Sequence, residues 1–274
     1  MTAPTLAPTG CADVIDLERY PIHDLASTSG RELVARCRGD LADHGAAVLH
    51  GFVTPAAVAA MVTVAGELAE SAWGMEQTHT VYFEPNDAEV DAAHPRARQI
   101  RSAKHGIAYD LMHADAPMRL AYEDDTLTRF IAAVLGEEAL FRSADPLDAF
   151  QVTTMAAGEE LGWHFDRSEF SVTVMYQMPE AGGVFQYHPG LRSADDENLD
   201  GVRAALDADG ADARVLANEP GTLAIFRGRH ALHRVTPVEG ALPRINSVLT
   251  YGTVPDMRLN DLTSQLFYGR TSPR

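Results

Sequence analysis

The sequence predicts an α+β fold in which helices come first and a β-sandwich or barrel follows. Three observations predict it. Helical spacing of apolar residues marks the first half of the chain, short strand-like runs take over from Phe150, and turn residues separate those runs at close intervals.

The elements follow in order. Gly30 to His44 is rich in helix formers and sets Leu33, Val34, Cys37 and Leu41 at helical spacing. Ala46 to His50 reads as a short buried strand. Thr54-Pro55 opens a second helix, because a Thr hydroxyl caps free amides and Pro suits a first turn. That helix is expected to reach about Ser71, with an apolar stripe through Val58, Met61, Val64 and Leu68. From Glu76 to Asp110 the periodicity is lost among Pro85, Pro95 and many charges, which suggests a lid, a binding loop or solvated surface. A helix over Leu127 to Leu135 stops near Gly136. Phe170 to Val174 then alternates strictly, with Tyr176 and Met178 in phase. Glu180 to Gly183 is a turn and Val184 to Tyr187 a return strand, so these two runs are expected to form a hairpin. A short helix near Leu199 to Leu206 and strands at Thr222–Phe226 and Arg244–Tyr251 complete the pattern.

The chain has 274 residues, 46% of them hydrophobic, enough for one substantial core. Residues 29–274 are therefore expected to form a single domain, with a helical part over about 29–140, a strand-rich core over about 141–255 and a closing segment 256–274. Residues 1–28 lack the basic and apolar stretches of a secretory signal and read as a loose leader. No run approaches the ~20 apolar residues that cross a bilayer. A formal charge of −17 disfavours nucleic acid and anionic membrane as partners. With only Cys11 and Cys37, a disulfide framework is not expected, and a reducing cytoplasm fits.

The chemistry concentrates at Gly162-Trp163-His164-Phe165-Asp166, just before the clearest strand. Residues two apart in extended backbone face the same way, so His164 and Asp166 can converge on one ion. His233 offers a third ligand within Arg229-His230-Ala231-Leu232-His233-Arg234-Val235. Two imidazoles and a carboxylate on one face of an octahedron leave three positions open, the ligand set of iron(II) oxygenases. His230 competes for the third place; His233 is preferred because its spacing to Arg244 and its His-Arg-Val-Thr-Pro setting suit a barrel strand. Arg244, about ten residues beyond His233, suits bidentate pairing with a carboxylate. In its strand Arg244, Asn246, Val248 and Thr250 share one face, and Ile245, Leu249 and Tyr251 the other.

Residues from about Gly158 to Tyr251 resemble the jelly-roll core of the iron(II)/2-oxoglutarate-dependent dioxygenases. More narrowly, Leu161 to Asp166 and Phe226-Arg227-Gly228-Arg229 through His233-Arg234-Val235-Thr236-Pro237 resemble a bacterial branch acting on free amino acids, which includes lysine hydroxylases and related radical halogenases. The region Thr80 to Asp110 is similar as well. The resemblance implies a double-stranded β-helix, cupin-like, with N-terminal helices packed on it. It implies iron(II) held by His164, Asp166 and His233, 2-oxoglutarate as co-substrate with its far carboxylate on Arg244, and dioxygen as oxidant. Halogenases of this branch carry Gly where this chain keeps Asp166, which leaves them a coordination site for chloride; the resemblance therefore implies hydroxylation, desaturation or oxidative ring closure, such as cyclopropane formation, here. The substrate implied is a free amino acid or a derivative, in secondary metabolism. Arg101 stands where the branch places a guanidinium for the substrate carboxylate. Asn246, Thr250 and Tyr268 are candidate pocket residues, and Arg167 is positioned to reach either substrate or a surface acid; facing the pocket, it would favour a neutral or anionic substrate tail. Two other classes share these ligands. A non-catalytic cupin-like binding protein gains little from Arg244 and an open metal face, and a zinc hydrolase needs a general base for which the sequence offers no distinctive motif.

Overall fold

A computed structural model of the chain describes residues 10–85 and 89–274. Its helices are α1 (Cys11–Val14), α2 (Thr28–His44), α3 (Pro55–Glu67), α4 (Pro117–Glu123), α5 (Asp125–Leu135), α6 (Leu199–Asp207) and α7 (Asp261–Tyr268). The strands of its main sheet are β1 (Ala46–Leu49), β2 (Trp73–His79), β3 (Ile100–Ile107), β4 (Phe150–Met155), β5 (Glu160–His164), β6 (Ser171–Gln177), β7 (Phe185–His188), β8 (Arg214–Val215), β9 (Leu223–Phe226), β10 (Leu232–Val235) and β11 (Arg244–Leu249).

The sheet is antiparallel and curls into a jelly roll, with strand order β1-β9-β6-β11-β4-β3-β5-β10-β7-β8 and β2 on the other edge of β3. Strand β3 makes the bend: its last residues pair with β4 and its earlier ones with β5. The layers on either side of that bend meet face to face, as where the Phe185 ring of β7 meets Phe226 of β9 at 5.3 Å. On the outer face of the β1-to-β4 layer, Val172, Val174, Ile225, Ile245 and Leu249 pack with α2, α3, α4 and α5 in the largest core cluster. Trp163, Phe165 and Leu232 of the other layer pack beneath α6. Outer faces are thus apolar and helix-covered, while the polar residues of β4, β6 and β11 turn inward.

Local chemistry sets the helix limits. The Ser27 hydroxyl accepts from the Gly30 amide at 3.0 Å and Thr54 from Ala57 at 3.3 Å, each satisfying an otherwise free first-turn amide. Gly136 ends α5 at φ +81°, a left-handed conformation that costs glycine little. Helix α3 stops at Glu67 and a 3-10 turn covers 69–71. Its deepest line is Ala57, Met61 and Ala65, with Val58, Val64 and Leu68 only flanking it. Small side chains let that helix sit close to the sheet.

The structure corrects three expectations. Residues 10–28 are not a loose leader: Val14, Ile15, Tyr20 and Ile22 are buried, and Ile15 bridges to Val53. Residues 1–9 lie outside the described residues. The stretch from Glu76 to Asp110 is not loop throughout, because β2 and β3 enter it from its two ends and pair in register from Trp73↔Gly106 to His79↔Ile100. One face of this pair meets solvent and the other a polar interior, so neither shows the apolar alternation of a buried strand. Residues 86–88 of that stretch fall outside the described residues. Finally, β6 and β7 are not a hairpin: β6 pairs with β9 and β11, whereas β7 pairs with β10 and β8. The turn at Gly182-Gly183 carries the chain from one layer to the other.

Among the described residues no helix is long and apolar enough to cross a membrane. Both cysteines are free and buried. Phe52 is 1% exposed, with its ring 5.4 Å from Tyr20 and 6.2 Å from Phe130, so it ties the N-terminal segment to α5. Phe52→Ala should cost about 3–5 kcal/mol in a urea unfolding titration; a loss under about 1 kcal/mol would show that residues 10–28 are not integral to the core.

Candidate metal centre

Strand alternation and register bring the two imidazoles together. In β5, Trp163 faces α6 and His164 faces the interior. In the antiparallel β5–β10 pair, His233 is the direct partner of His164, and their ring centroids lie 4.0 Å apart. Just beyond β5, the Asp166 amide donates to the Gly228 carbonyl at 3.1 Å, which turns its carboxylate towards both rings. A Cβ on Gly228 would overlap the Oδ2 atom of Asp166, so only glycine admits the carboxylate there. Ser171, first residue of β6, donates to Oδ2 at 2.6 Å.

Oδ1 of Asp166 is left facing His164 Nε2 at 3.6 Å and His233 Nε2 at 3.5 Å. Two ligand atoms each about 2.1 Å from one ion lie at most about 4.2 Å apart, so both separations fit a shared ion. The other ring nitrogens are committed. His164 Nδ1 meets the Gly162 carbonyl at 2.7 Å and His233 Nδ1 the Ala231 carbonyl at 2.9 Å. A carbonyl only accepts, so each Nδ1 carries a proton, and each ring is turned with Nε2 towards the carboxylate. Burial, then the His233 imidazole, hold the His164 pKa well below the usual histidine range. Burial would raise the Asp166 carboxyl, but the two imidazoles and the Ser171 hydroxyl outweigh it and hold it below the ordinary range. The result is three ligand atoms turned towards one point, an arrangement that suits a cation. His230 is not part of it: its Nε2 lies 3.5 Å from Glu169.

Aromatic rings wall this point. Phe226 and Phe185 lie 4.6 and 5.5 Å from the His233 ring, and Phe83 lies 5.3 Å from His164. Phe83 adopts φ +53°, a strained value for a bulky side chain. On the solvent side Asp166 lines a cleft of about 450 Å³ with Arg167, Glu169, Arg192, Arg229 and His230.

Arg244 is 3% exposed at the start of β11, on the inner face with Asn246. Its Nε donates to the Gly183 carbonyl at 3.2 Å and its Nη1 to Asn246 Oδ1. Among the described residues no carboxylate pairs with it. Burial pushes the guanidinium down only to about 10, so it stays charged at neutral pH. A buried, unpaired guanidinium is costly, and an incoming carboxylate would relieve that cost.

The candidate substrate residues divide. Thr250 and Tyr268 converge on Asp148: Tyr268 donates to Oδ1, and Thr250 to Oδ2 at 3.4 Å. Arg101 points the other way. Its guanidinium is 42% exposed and pairs with Glu76 at 2.9 Å and Glu160 at 3.3 Å, because Arg101 falls on the outer phase of β3. The inward cation on that strand is Lys104, whose Nζ donates to Gln151 Oε1 at 2.8 Å. Arg167 is exposed at the cleft rim, where its own carbonyl accepts from Arg229 at 2.6 Å. Sequence reasoning missed Lys104, Asp148, Gln151, Ser171 and Gly228. The Arg227-Gly228-Arg229 run was the only sign of the last; nothing local marked the others.

Two outcomes are expected. Gly228→Ala should weaken divalent-metal affinity about 10–100-fold in an equilibrium titration, by displacing Asp166; unchanged affinity would show that the close approach does not position the ligand. Asp148 has its pKa raised from 3.8 to about 6 by burial, against the Tyr268 hydrogen bond. Its protonated form is favoured in the folded state, so the associated stability is complete below 3.8 and lost as pH rises through about 6. Wild-type stability should therefore fall relative to Asp148→Asn across that window, by no more than about 3 kcal/mol; parallel stability–pH curves would refute this.

Comparison with known proteins agrees with this geometry. A family model described as Halogenase D matches residues 30–266. No curated protein matches the sequence. Among solved structures, the non-heme alpha ketoglutarate dependent epimerase SnoN from nogalamycin biosynthesis is similar, with a TM-score of 0.55 at 13% identity over 81% of this chain and 83% of that one. A second SnoN structure, in complex with Fe3+, alpha ketoglutarate and nogalamycin RO, gives 0.53 at 13% identity over 81% and 84%. AviO1 from Streptomyces viridochromogenes Tue57 gives 0.53 at 16% identity over 80% and 94%. With a family match across most of its length and a jelly roll shared with these structures, the chain belongs to the halogenase D family.

Proposed function

We propose that this protein is a non-haem iron(II), 2-oxoglutarate-dependent oxygenase that oxidises an unactivated C–H bond of a free amino acid or amino acid derivative, with hydroxylation as the outcome. The observation that carries this reading is the convergence of three ligand atoms, from buried His164 and His233 and half-buried Asp166, within reach of one ion. The fit extends to the co-substrate, since buried Arg244 lacks a carboxylate and 2-oxoglutarate carries one at each end. A SnoN structure that holds iron and alpha ketoglutarate on a similar fold supports the same pairing. Arg244 also favours an oxygenase over a non-catalytic binding protein, because a storage site has no use for an unpaired buried guanidinium.

When bound, iron(II) and 2-oxoglutarate supply the oxidising chemistry with dioxygen, and the protein's share is placement. His164 and His233 would hold the metal through Nε2, their orientation fixed by the Nδ1 bonds to Gly162 and Ala231. Asp166 would bind through Oδ1 while Ser171 and Gly228 secure its other oxygen. Arg244 would fix the far carboxylate of 2-oxoglutarate, with Asn246 and the Gly183 carbonyl bracing the guanidinium. Phe83, Phe185 and Phe226, packed against the His164 and His233 rings, would exclude water from the side of the site they wall. Although the family takes its name from halogenation, Asp166 occupies the place a halide would need, which supports oxygen transfer instead. Its two free, buried cysteines suit work in a reducing cytoplasm.

With iron(II), 2-oxoglutarate and oxygen, some member of a panel of free amino acids and simple derivatives should stimulate succinate release. Its product should gain one oxygen in mass; loss of two hydrogens would redirect the outcome to desaturation or ring closure. Arg244→Ala should raise the KM for 2-oxoglutarate about thirtyfold or more. Absence of iron-dependent succinate release across the panel would sink the proposal.

A further inference from the structure

Two opposite charges share the barrel interior without touching. Lys104 lies on the inner phase of β3 with Ser102, and Asp148 sits just before β4. Each is held by different neighbours. The Lys104 ammonium donates to Gln151 Oε1 at 2.8 Å and lies 5.5 Å from the Phe267 ring centre. Asp148 accepts from Tyr268 on one oxygen and from Thr250, at 3.4 Å, on the other. No ion pair joins Lys104 to a carboxylate among the described residues, although the charges of both Asp148 and Asp166 act on it. Lys104 and Asp148 meet α7 at adjacent residues, Phe267 and Tyr268, and Ser102, two positions from Lys104 on the same face of β3, accepts at 3.0 Å from the amide of Gly162, two residues before His164.

Hydrogen-bond capacity is left over on both groups. An ammonium has three donors and Lys104 uses one; a carboxylate has about four acceptor sites and Asp148 uses two. Burial brings the ammonium down to about 8 and the carboxyl up to about 6, so both are charged near neutral pH. Charges kept in a protein interior with capacity to spare call for a partner that carries the opposite sign to each. Helix α7 closes this end, with Phe267 and Tyr268 packed against Ala108 and Leu147.

We propose that Lys104 and Asp148 form the head-group subsite of the enzyme, Lys104 taking the α-carboxylate and Asp148 the α-ammonium of an amino acid whose side chain extends towards His164, Asp166 and His233. This rests on the function proposed above and deepens it, because it specifies a zwitterion with both termini free. A side chain held beyond its own head group also places the oxidised carbon away from the α-position. Arg101, paired outside the barrel, has no part in recognition.

The test uses protein loaded with iron(II) and 2-oxoglutarate without oxygen, and reads binding by calorimetry. The probes are the twenty common amino acids, each with its methyl ester and its N-acetyl derivative. In wild type at least one free amino acid should bind, and both blocked forms of it should bind about thirtyfold or more weakly. Lys104→Met should abolish the preference for acid over ester, and Asp148→Asn the preference for free over acetylated amine. Both variants should retain the wild-type affinity for 2-oxoglutarate, which shows that they are folded; should Lys104→Met lose it, Lys104→Gln replaces it. An amino acid that binds both variants as it binds wild type, or preferences that survive both substitutions, overturns the subsite and leaves the proposed function standing. Failure of every amino acid to bind wild type that still takes up 2-oxoglutarate overturns the subsite and the amino acid reading together.

Discussion

Three oxygen and nitrogen lone pairs forced to face one another inside a barrel set the terms for the rest of this structure. They lie within 4.8 Å of one another and would share one cation. They stay together because each has its freedom removed by a hydrogen bond, from a carbonyl close in sequence for the two rings and from more distant groups for the carboxylate. The His164 and His233 rings are locked by carbonyls two residues earlier, Gly162 and Ala231. Asp166 is drawn in by the Gly228 carbonyl and held by Ser171. These are short-range bonds, but they only act together because β5 and β10 pair in a register that sets His164 opposite His233. Preorganisation of this kind places the strain in the folded protein before any ion arrives, so binding need not reorganise the ligands.

The same strands do two jobs on their two faces. On β11, Ile245 and Leu249 anchor the helical layer while Arg244 and Asn246 turn inward; on β6, Val172 and Val174 do the former and Ser171 braces Asp166. A period of two makes this division automatic, and it lets a barrel hold buried charge without weakening its hydrophobic core. Inside, the charges are separated rather than mixed. Arg244 stands at the Gly183 turn, and Lys104 and Asp148 stand near α7. Among the described residues neither Arg244 nor Lys104 has a carboxylate in an ion pair.

Much of this was legible in the residues. Caps at Ser27 and Thr54 and the glycine after α5 bounded helices because they act over one turn. The alternation in β6 and β11 separated their two faces without saying which one turns inward, and the His-x-Asp pair with His233 named three residues that the fold brings together. Arg101 was misread because strand phase, not composition, decides whether a side chain points inward; Lys104, three positions on, has the opposite phase. The β6–β7 connection looked like a hairpin because a Gly-Gly turn between two strands is a local signal, whereas crossing between layers is a property of the whole sheet.

What the chain determined by itself is therefore what short-range physics can encode: helix ends, strand periodicity, and ligand types at the right spacing. Tertiary structure alone decided which groups meet. Lys104, Asp148, Thr250 and Tyr268 come from β3, the approach to β4, the end of β11 and α7, and nothing in the neighbourhoods of Lys104 and Asp148 marks those two. Residues 10–28 likewise bury Val14, Ile15 and Tyr20 only because α4 and α5 exist to receive them. Burial and charge pairing depend on distance through space, and a linear sequence records distance only along the backbone.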